Sequence, residues 1–288
     1  MLLPTRRTLR YQVDILRTLR DMGLAVSVFS LPGPHRIPGL LFSLYQRLDR
    51  LVTPVAVDPL APQPLPGDVC VRELPGHPGW PSELAVAARE DGLDILVVLG
   101  DLAISPALPE AFRLGVVVLD AVDFATQAPW AAFRALSGAE PCWEPRLVWH
   151  VAGRPPRILY RSASAVSPLS LHRTAAPACV KAACFIPRML RELAAHGPGA
   201  WEDRAGALPE RTPLPSVGDA ALLRFVPRLF VRFMTLAWRD ALLRPQWFLA
   251  LRRGGGDPFD LAGFVPAFPP DASGWADPFP VVRQGVTH

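Results

Sequence analysis

The sequence predicts an α/β fold: a mostly parallel sheet with helices on both faces, followed by a helical extension. Three observations carry this. First, the stretch from Leu93 to Asp120, LDILVVLGDLAISPALPEAFRLGVVVLD, reads as strand, loop, short helix and strand. Its apolar runs, Ile95–Leu99 and Val116–Leu119, are short, rich in Val and Ile, and bounded by Gly100 and Asp120, as strands covered on both faces are. Second, helical patterns alternate with such runs on either side of this unit. Third, hydrophobic residues make up 50% of the 288 residues and charged residues 19%, enough to bury a core and too apolar for a disordered chain.

Taken in order, Thr8–Asp21 is a helix with Leu9, Val13, Leu16 and Leu19 on one face and Gly23 just beyond its end. Only MLLP precedes it, where a sheet of this type needs a strand. The expectation is that the chain starts late or that the sheet has lost its first strand. Leu24–Ser30 is a strand and Leu40–Leu51 a helix. VDPLAPQPLPGD can only be a loop or an extended edge. Cys70–Leu74 is a short strand, and Pro81–Glu90 a helix opened by a proline, whose missing N–H costs little there. Leu108–Arg113 is the short helix of the central unit, and the turn after its second strand covers Asp120–Gln127. Pro129–Leu136 is helical; Arg146–Val151 and Arg157–Ser162 form a hairpin. Leu169–Ala195 is one long helical stretch that Pro177 and Pro187 should kink or break.

The α/β domain is therefore expected over 1–195, with a linker at 196–218, rich in Gly, Pro and charge. An Arg- and aromatic-rich helical extension follows at 219–253, with a strand near Gln246–Leu251. Arg224, Arg228 and Arg232 make an i, i+4, i+8 stripe among Phe225, Phe230, Phe233 and Trp238. Such a stripe suits an anionic membrane surface, but a linker helix packed between two modules is the more ordinary reading.

The net charge is +4, and Lys181 is the sole lysine. An arginine bias of this kind can reflect base composition, so no nucleic-acid partner is read from it. Cys70, Cys142, Cys179 and Cys184 lack metal-ligand spacing and are read as buried, reduced thiols of a cytoplasmic protein. The opening MLLPTRRTLRYQ has no apolar core of a signal peptide, and no uncharged stretch is long enough to span a bilayer. No Gly-x-Ser-x-Gly or glycine fingerprint for a phosphate is present.

Three stretches resemble a known family. LFSLYQRLDR (Leu41–Arg50) resembles a helix of bacterial proteins with a formyltransferase-like amino-terminal domain. Leu93–Tyr160 resembles formyltransferases of the methionyl-tRNA type in layout: DILVVLG, a helix ending in LG, a strand, PWAAFRALSG, and a hairpin ending RILY. The tail, Phe264–Val281, contains PPDASGWADPF and resembles the opening of a β-propeller similar to the amino-terminal part of glucosamine inositolphosphorylceramide transferase. The resemblance implies a Rossmann-like sheet. It also makes 254–288 the truncated start of a propeller module that fuller relatives carry, and implies a link to glycan or glycolipid chemistry.

Formyltransferases meet the negative charge of their tetrahedral intermediate with an Asn and a His on the strand matching Gly115–Asp120, and use an Asp in the following hairpin. Here those positions are Val118, Asp120 and Arg154. Val118 donates no hydrogen bond, an ionised Asp120 repels an oxyanion, and Arg154 accepts no proton. Losing one oxyanion donor typically costs ~3 kcal/mol of transition-state stabilisation. The expectation is a catalytically degenerate binding or scaffold module with no cofactor and no metal, taking a small-molecule or glycan-related ligand. The alternative is an active transferase that uses 10-formyltetrahydrofolate on an amino sugar, its catalytic groups moved to Asp120, Asp123 and His150, with Arg154 nearby. Asx turns or caps are the plainer reading of Asp120 and Asp123, and a hydrogen-bonded sheet-edge histidine that of His150. Ligands of open parallel sheets bind beyond the carboxyl ends of the strands. That places the candidate binding loop at Gly100, Asp101 and Ser105, although Asp101 equally suits a turn cap.

Overall fold

The computed structural model describes residues 1–4, 8–31, 39–75, 79–123, 128–204, 206–207, 219–242, 249–251, 265–267, 282–283 and 286–287. They fall into two compact units, Met1–Leu229 and Phe230–His288.

The first unit opens β1 (Leu2–Pro4), α1 (Arg10–Asp21), β2 (Val28–Leu31), α2 (Leu40–Val52), β3 (Val71–Glu73) and α3 (Trp80–Glu90). β4 (Leu96–Asp101), a 3-10 turn at Pro109–Ala111, β5 (Val116–Asp123), α4 (Trp130–Gly138) and β6 (Cys142–Trp143) follow. Then come β7 (Arg146–His150), β8 (Arg157–Arg161), β9 (Ser164–Ala165), α5 (Leu171–Ala183), α6 (Phe185–His196), α7 (Gly199–Arg204) and β10 (Gly206–Ala207). α8 (Asp219–Leu242) begins in this unit and runs into the second.

Among the described residues the main sheet has the order β10-β8-β7-β5-β4-β1-β2-β3. The strands from β5 to β3 are parallel, while β7, β8 and β10 run antiparallel to their neighbours. The fold is thus α/β with a mostly parallel, Rossmann-like sheet. The strand expected to be missing is present. Leu2 and Leu3 are buried, and Leu2 pairs with Phe29 on one side and Val98 on the other, so MLLP supplies the middle one of the five parallel strands. Three residues are too short a run to show a period.

Each face of the sheet buries its own cluster. Val97, Leu99, Val117 and Leu119 join side chains of α1, α4, α5 and α6. Leu96, Val98, Val116 and Val118 alternate with them and face Leu84 and Ala88 of α3 with Leu108 and Phe112 around the 3-10 turn. The expected helix at Leu108–Arg113 is only that 3-10 turn. An aromatic group locks the larger face: Phe42 lies 4.1 Å from Trp130 and 5.2 Å from Phe133, and Phe225 lies 5.3 Å from Phe133 (centroids). Such pairs add about 0.5–1.5 kcal/mol each beyond their burial.

The long helix at Leu169–Ala195 divides into α5 and α6 at Cys184. Pro187 clashes with the carbonyl four residues back, which stops α5; in the first turn of α6 its missing N–H is harmless. Pro177 lies inside α5, which runs through it. The cysteine reading is corrected in part. Cys179 is buried, and burial pushes its thiol up to about 12, but Cys70, Cys142 and Cys184 are exposed. The stretch 196–218 is more than a linker. α7 buries Trp201 edge-on to Trp149 at 5.4 Å, and β10 adds an edge strand to β8. Residues 205 and 208–218 lie outside the described residues.

In the second unit, β11 (Leu249–Leu251) pairs antiparallel with β12 (Val265–Ala267), and β13 (Val282–Arg283) with β14 (Val286–Thr287). The strand expected near Gln246–Leu251 is β11; the rest of that stretch and most of 254–288, where the start of a propeller is expected, lie outside the described residues.

Gly115 shows how tightly the hairpin is set against β5. Its φ is +78°, and a Cβ there would lie 2.3 Å from the His150 carbonyl oxygen. Gly92 has a similar φ of +62° with nothing within 4 Å. Gly115→Ala should therefore lower unfolding free energy by roughly 2–5 kcal/mol, and Gly92→Ala by only about 1–2 kcal/mol. Urea denaturation of the two variants checks this.

Candidate functional site

The carboxyl edge of the parallel strands is built first by β4. Its apolar residues bury Leu96–Leu99, and Gly100, at φ +146°, lets the strand turn outward so that Asp101 is exposed. Leu99 pairs with Leu119, but the next pair is Asp101 with Asp123, so β4 advances two residues while β5 advances four. The extra residues form a bulge, a device that re-aims side chains at such edges. Asp101 and Asp123 thus sit on adjacent strands, and the Asp123 N–H donates to the Ala128 carbonyl at 3.0 Å. Residues 5–7, 32–38, 76–78 and 124–127, in the connections after β1, β2, β3 and β5, lie outside the described residues.

Asp120 is not in a turn. β5 continues through it to Asp123; Asp120 is buried and stands opposite Arg146 of β7. The strand runs on because Ala121 and Val122 add two more buried apolar residues. His150 stands opposite Val116 at the other end of β5. Four residues of strand separate the two positions, roughly 13 Å. His150 is half-buried, and desolvation lowers its pKa below the usual imidazole value. Arg154 lies in the hairpin turn beyond it, where its Nη1 donates to Glu202 of α7 at 2.8 Å. That pair is half-exposed and contributes no more than about 1 kcal/mol. The structure brings Asp101 and Asp123 together and leaves His150 and Arg154 at the opposite edge of the sheet.

Ser105 begins the connection that covers the thinner face. Its carbonyl accepts from the Leu108 N–H at 3.0 Å. Between this connection and α3 lies an open cleft of about 550 Å³, lined by Ser82, Ala85, Arg89, Ser105, Ala107 and Glu110 among others. Its wall is partly apolar and partly polar, and it opens broadly to solvent. Among the described residues, no group of three or more His, Cys, Asp and Glu could hold a metal ion. No helix of the described residues is long and apolar enough to cross a membrane.

The sequence reading missed a buried polar cluster where α2 meets α5. Asp49, on the same side of α2 as Phe42, accepts the His172 backbone N–H at 2.7 Å and so caps α5 from another helix. Ser170 accepts from the Arg173 N–H at 3.0 Å, and the Thr53 hydroxyl lies 2.8 Å from the Ser170 hydroxyl. Arg50 and His172 each stand 3.9 Å from Asp58. The space among Asp49, His172, Leu60 and Pro129 is about 10 Å³, room for a single water at most. The cluster therefore positions helices rather than binding a substrate. Its signal was available: an Asp seven residues after Phe42 falls on the buried side of the helix.

Desolvation lowers the His172 pKa, with Asp58 opposing, Arg50 reinforcing and Asp49 opposing that shift. As pH falls below the ordinary value of about 6.5, the unfolded chain takes up this proton before the folded one. Its stability contribution is therefore complete above that pH and is lost as pH falls toward the folded value. His172→Gln should flatten the fall in urea midpoint between neutral and mildly acidic pH, leaving a smaller slope from His150. An unchanged profile would contradict this assignment.

No protein-family model matches the chain, and no curated protein matches it.

Proposed function

We propose that the chain is a formyltransferase-like binding or scaffold module, linked to glycan or glycolipid modification, that does not itself transfer formyl groups. The observation that carries this reading is where the required donors would have to stand. Val118 is buried among Val98, Leu108 and Phe112, and its backbone pairs with Val148. No hydrogen-bond donor can reach a substrate oxygen from that side chain. Asp120 offers acceptors where an oxyanion needs donors. The groups that could replace them are divided, Asp120 and Asp123 toward one end of β5 and His150 at the other. An acid–base pair must lie within hydrogen-bond reach of one reacting group, which weighs against the active amino-sugar transferase.

The module reading needs no cofactor, and the cleft at Ser105 is its candidate ligand site. Full-length chain incubated with 10-formyltetrahydrofolate and glucosamine should release tetrahydrofolate no faster than buffer; clear turnover would favour the transferase instead. The same cleft offers a binding test. Where calorimetry detects glucosamine or its phosphate on the wild-type chain, Ala107→Trp should weaken it by at least roughly tenfold, about 1.4 kcal/mol. Unchanged affinity would move the ligand elsewhere.

A further inference from the structure

We infer that α2 and the first turns of α8 form a surface that rests on an anionic lipid bilayer. This does not depend on the binding-module reading. Each helix buries one side and leaves a second apolar side bare. On α2, Phe42 and Asp49 face the core, while Leu40, Leu44, Leu48 and Leu51 are exposed at spacings of four, four and three. Leu40 and Leu51 are the barest, at 81% and 78% exposure. On α8, Leu222 and Phe225 are buried and Leu223 and Val226 are exposed.

The two helices leave the same corner of the fold. The Asp219 carboxylate accepts the Phe42 N–H at 3.3 Å, capping α2 from the first residue of α8. Further along both helices, Tyr45 and Phe225 meet edge to face at 6.1 Å. These two contacts hold the first turns of α2 and α8 against each other, so the exposed leucines of α2 and the exposed Leu223 and Val226 of α8 lie on neighbouring parts of the surface.

Charge selects the occupant. Arg47, Arg224 and Arg228 are exposed on these helices. The carboxylates on these helix stretches are engaged: Asp49 is buried against α5, and Asp219 caps α2. From Ala220 to Arg239 the helix carries no Asp or Glu. A second copy docking by two-fold symmetry would bring two arginine-bearing surfaces together, which like-charge repulsion disfavours. An anionic bilayer supplies apolar depth for the leucines and phosphates for the arginines. As no described helix can cross a membrane, the surface lies on the bilayer.

The test is flotation of the full-length chain with vesicles of phosphatidylcholine alone or with phosphatidylglycerol added. Binding should appear only with phosphatidylglycerol and fall as salt is raised. Arg224→Gln with Arg228→Gln should weaken it roughly thirtyfold, and Leu44→Gln with Leu48→Gln at least roughly tenfold. These side chains are exposed, so urea midpoints should stay at the wild-type value and rule out misfolding. The inference is overturned if the chain ignores acidic vesicles, binds both vesicle types equally, or binds unchanged in either double variant. It is also overturned if sedimentation shows a wild-type dimer that the leucine variant dissociates, since the face would then be a contact between copies.

Discussion

A parallel sheet must be covered on both faces, because its crossovers and its buried strands leave no side that tolerates water. This chain meets that requirement unequally. One face carries α1, α4, α5 and α6 over a cluster that extends to Trp201, Leu222 and Phe225. The other carries α3 and the 3-10 connection over a smaller one. The cleft near Ser105 lies within that thinner second layer, between α3 and the connection. The same demand explains why α7 and the start of α8 belong to the first unit: their aromatic side chains complete the thicker layer.

Polar groups inside this layered body act mainly on the backbone. Gln12 is wholly buried; its Oε1 accepts the Leu9 N–H at 2.9 Å and its Nε2 donates to the Leu99 carbonyl at 3.2 Å. It ties the start of α1 to the end of β4. Asp49 performs the matching task for α5, and Asp219 for α2. The LYQRLDR stretch thus has a mechanical explanation: Tyr45 packs against the aromatic group, Asp49 caps a helix, and Arg50 reaches Asp58 and the Leu60 carbonyl. Side chains committed to backbone partners in this way are poorly placed to do chemistry on a substrate.

Elements with a clear period were legible from residues alone. α1, α2, α3 and both strands of the hairpin stand within a few residues of where their apolar spacing puts them. What stayed hidden depends on partners distant in sequence. β1 is too short to show a pattern, and its status comes from Phe29 and Val98 on either side. Asp120 looked like a strand end because a charge follows four apolar residues, yet buried Ala121 and Val122 and the pairing of Asp123 with Asp101 of β4 carry β5 past it. The separation of His150 from Asp120 follows from antiparallel register, which composition does not encode. The Asp49–His172 contact joins residues 123 apart in the chain.

The position of β1 also bears on how the molecule reaches its native state. Leu2 has one neighbouring strand close by in sequence and the other almost a hundred residues away. The β1–α1–β2 unit can associate early through local contacts, but it remains an open edge until β4 closes on it. Pairings of such long range are intrinsically slow and leave strand edges bare in the interval. Of the neighbouring strands in the described sheet, β1 and β4 are the furthest apart in sequence, so during synthesis the edge of β1 waits longest for its partner and stays open to wrong pairing in that interval.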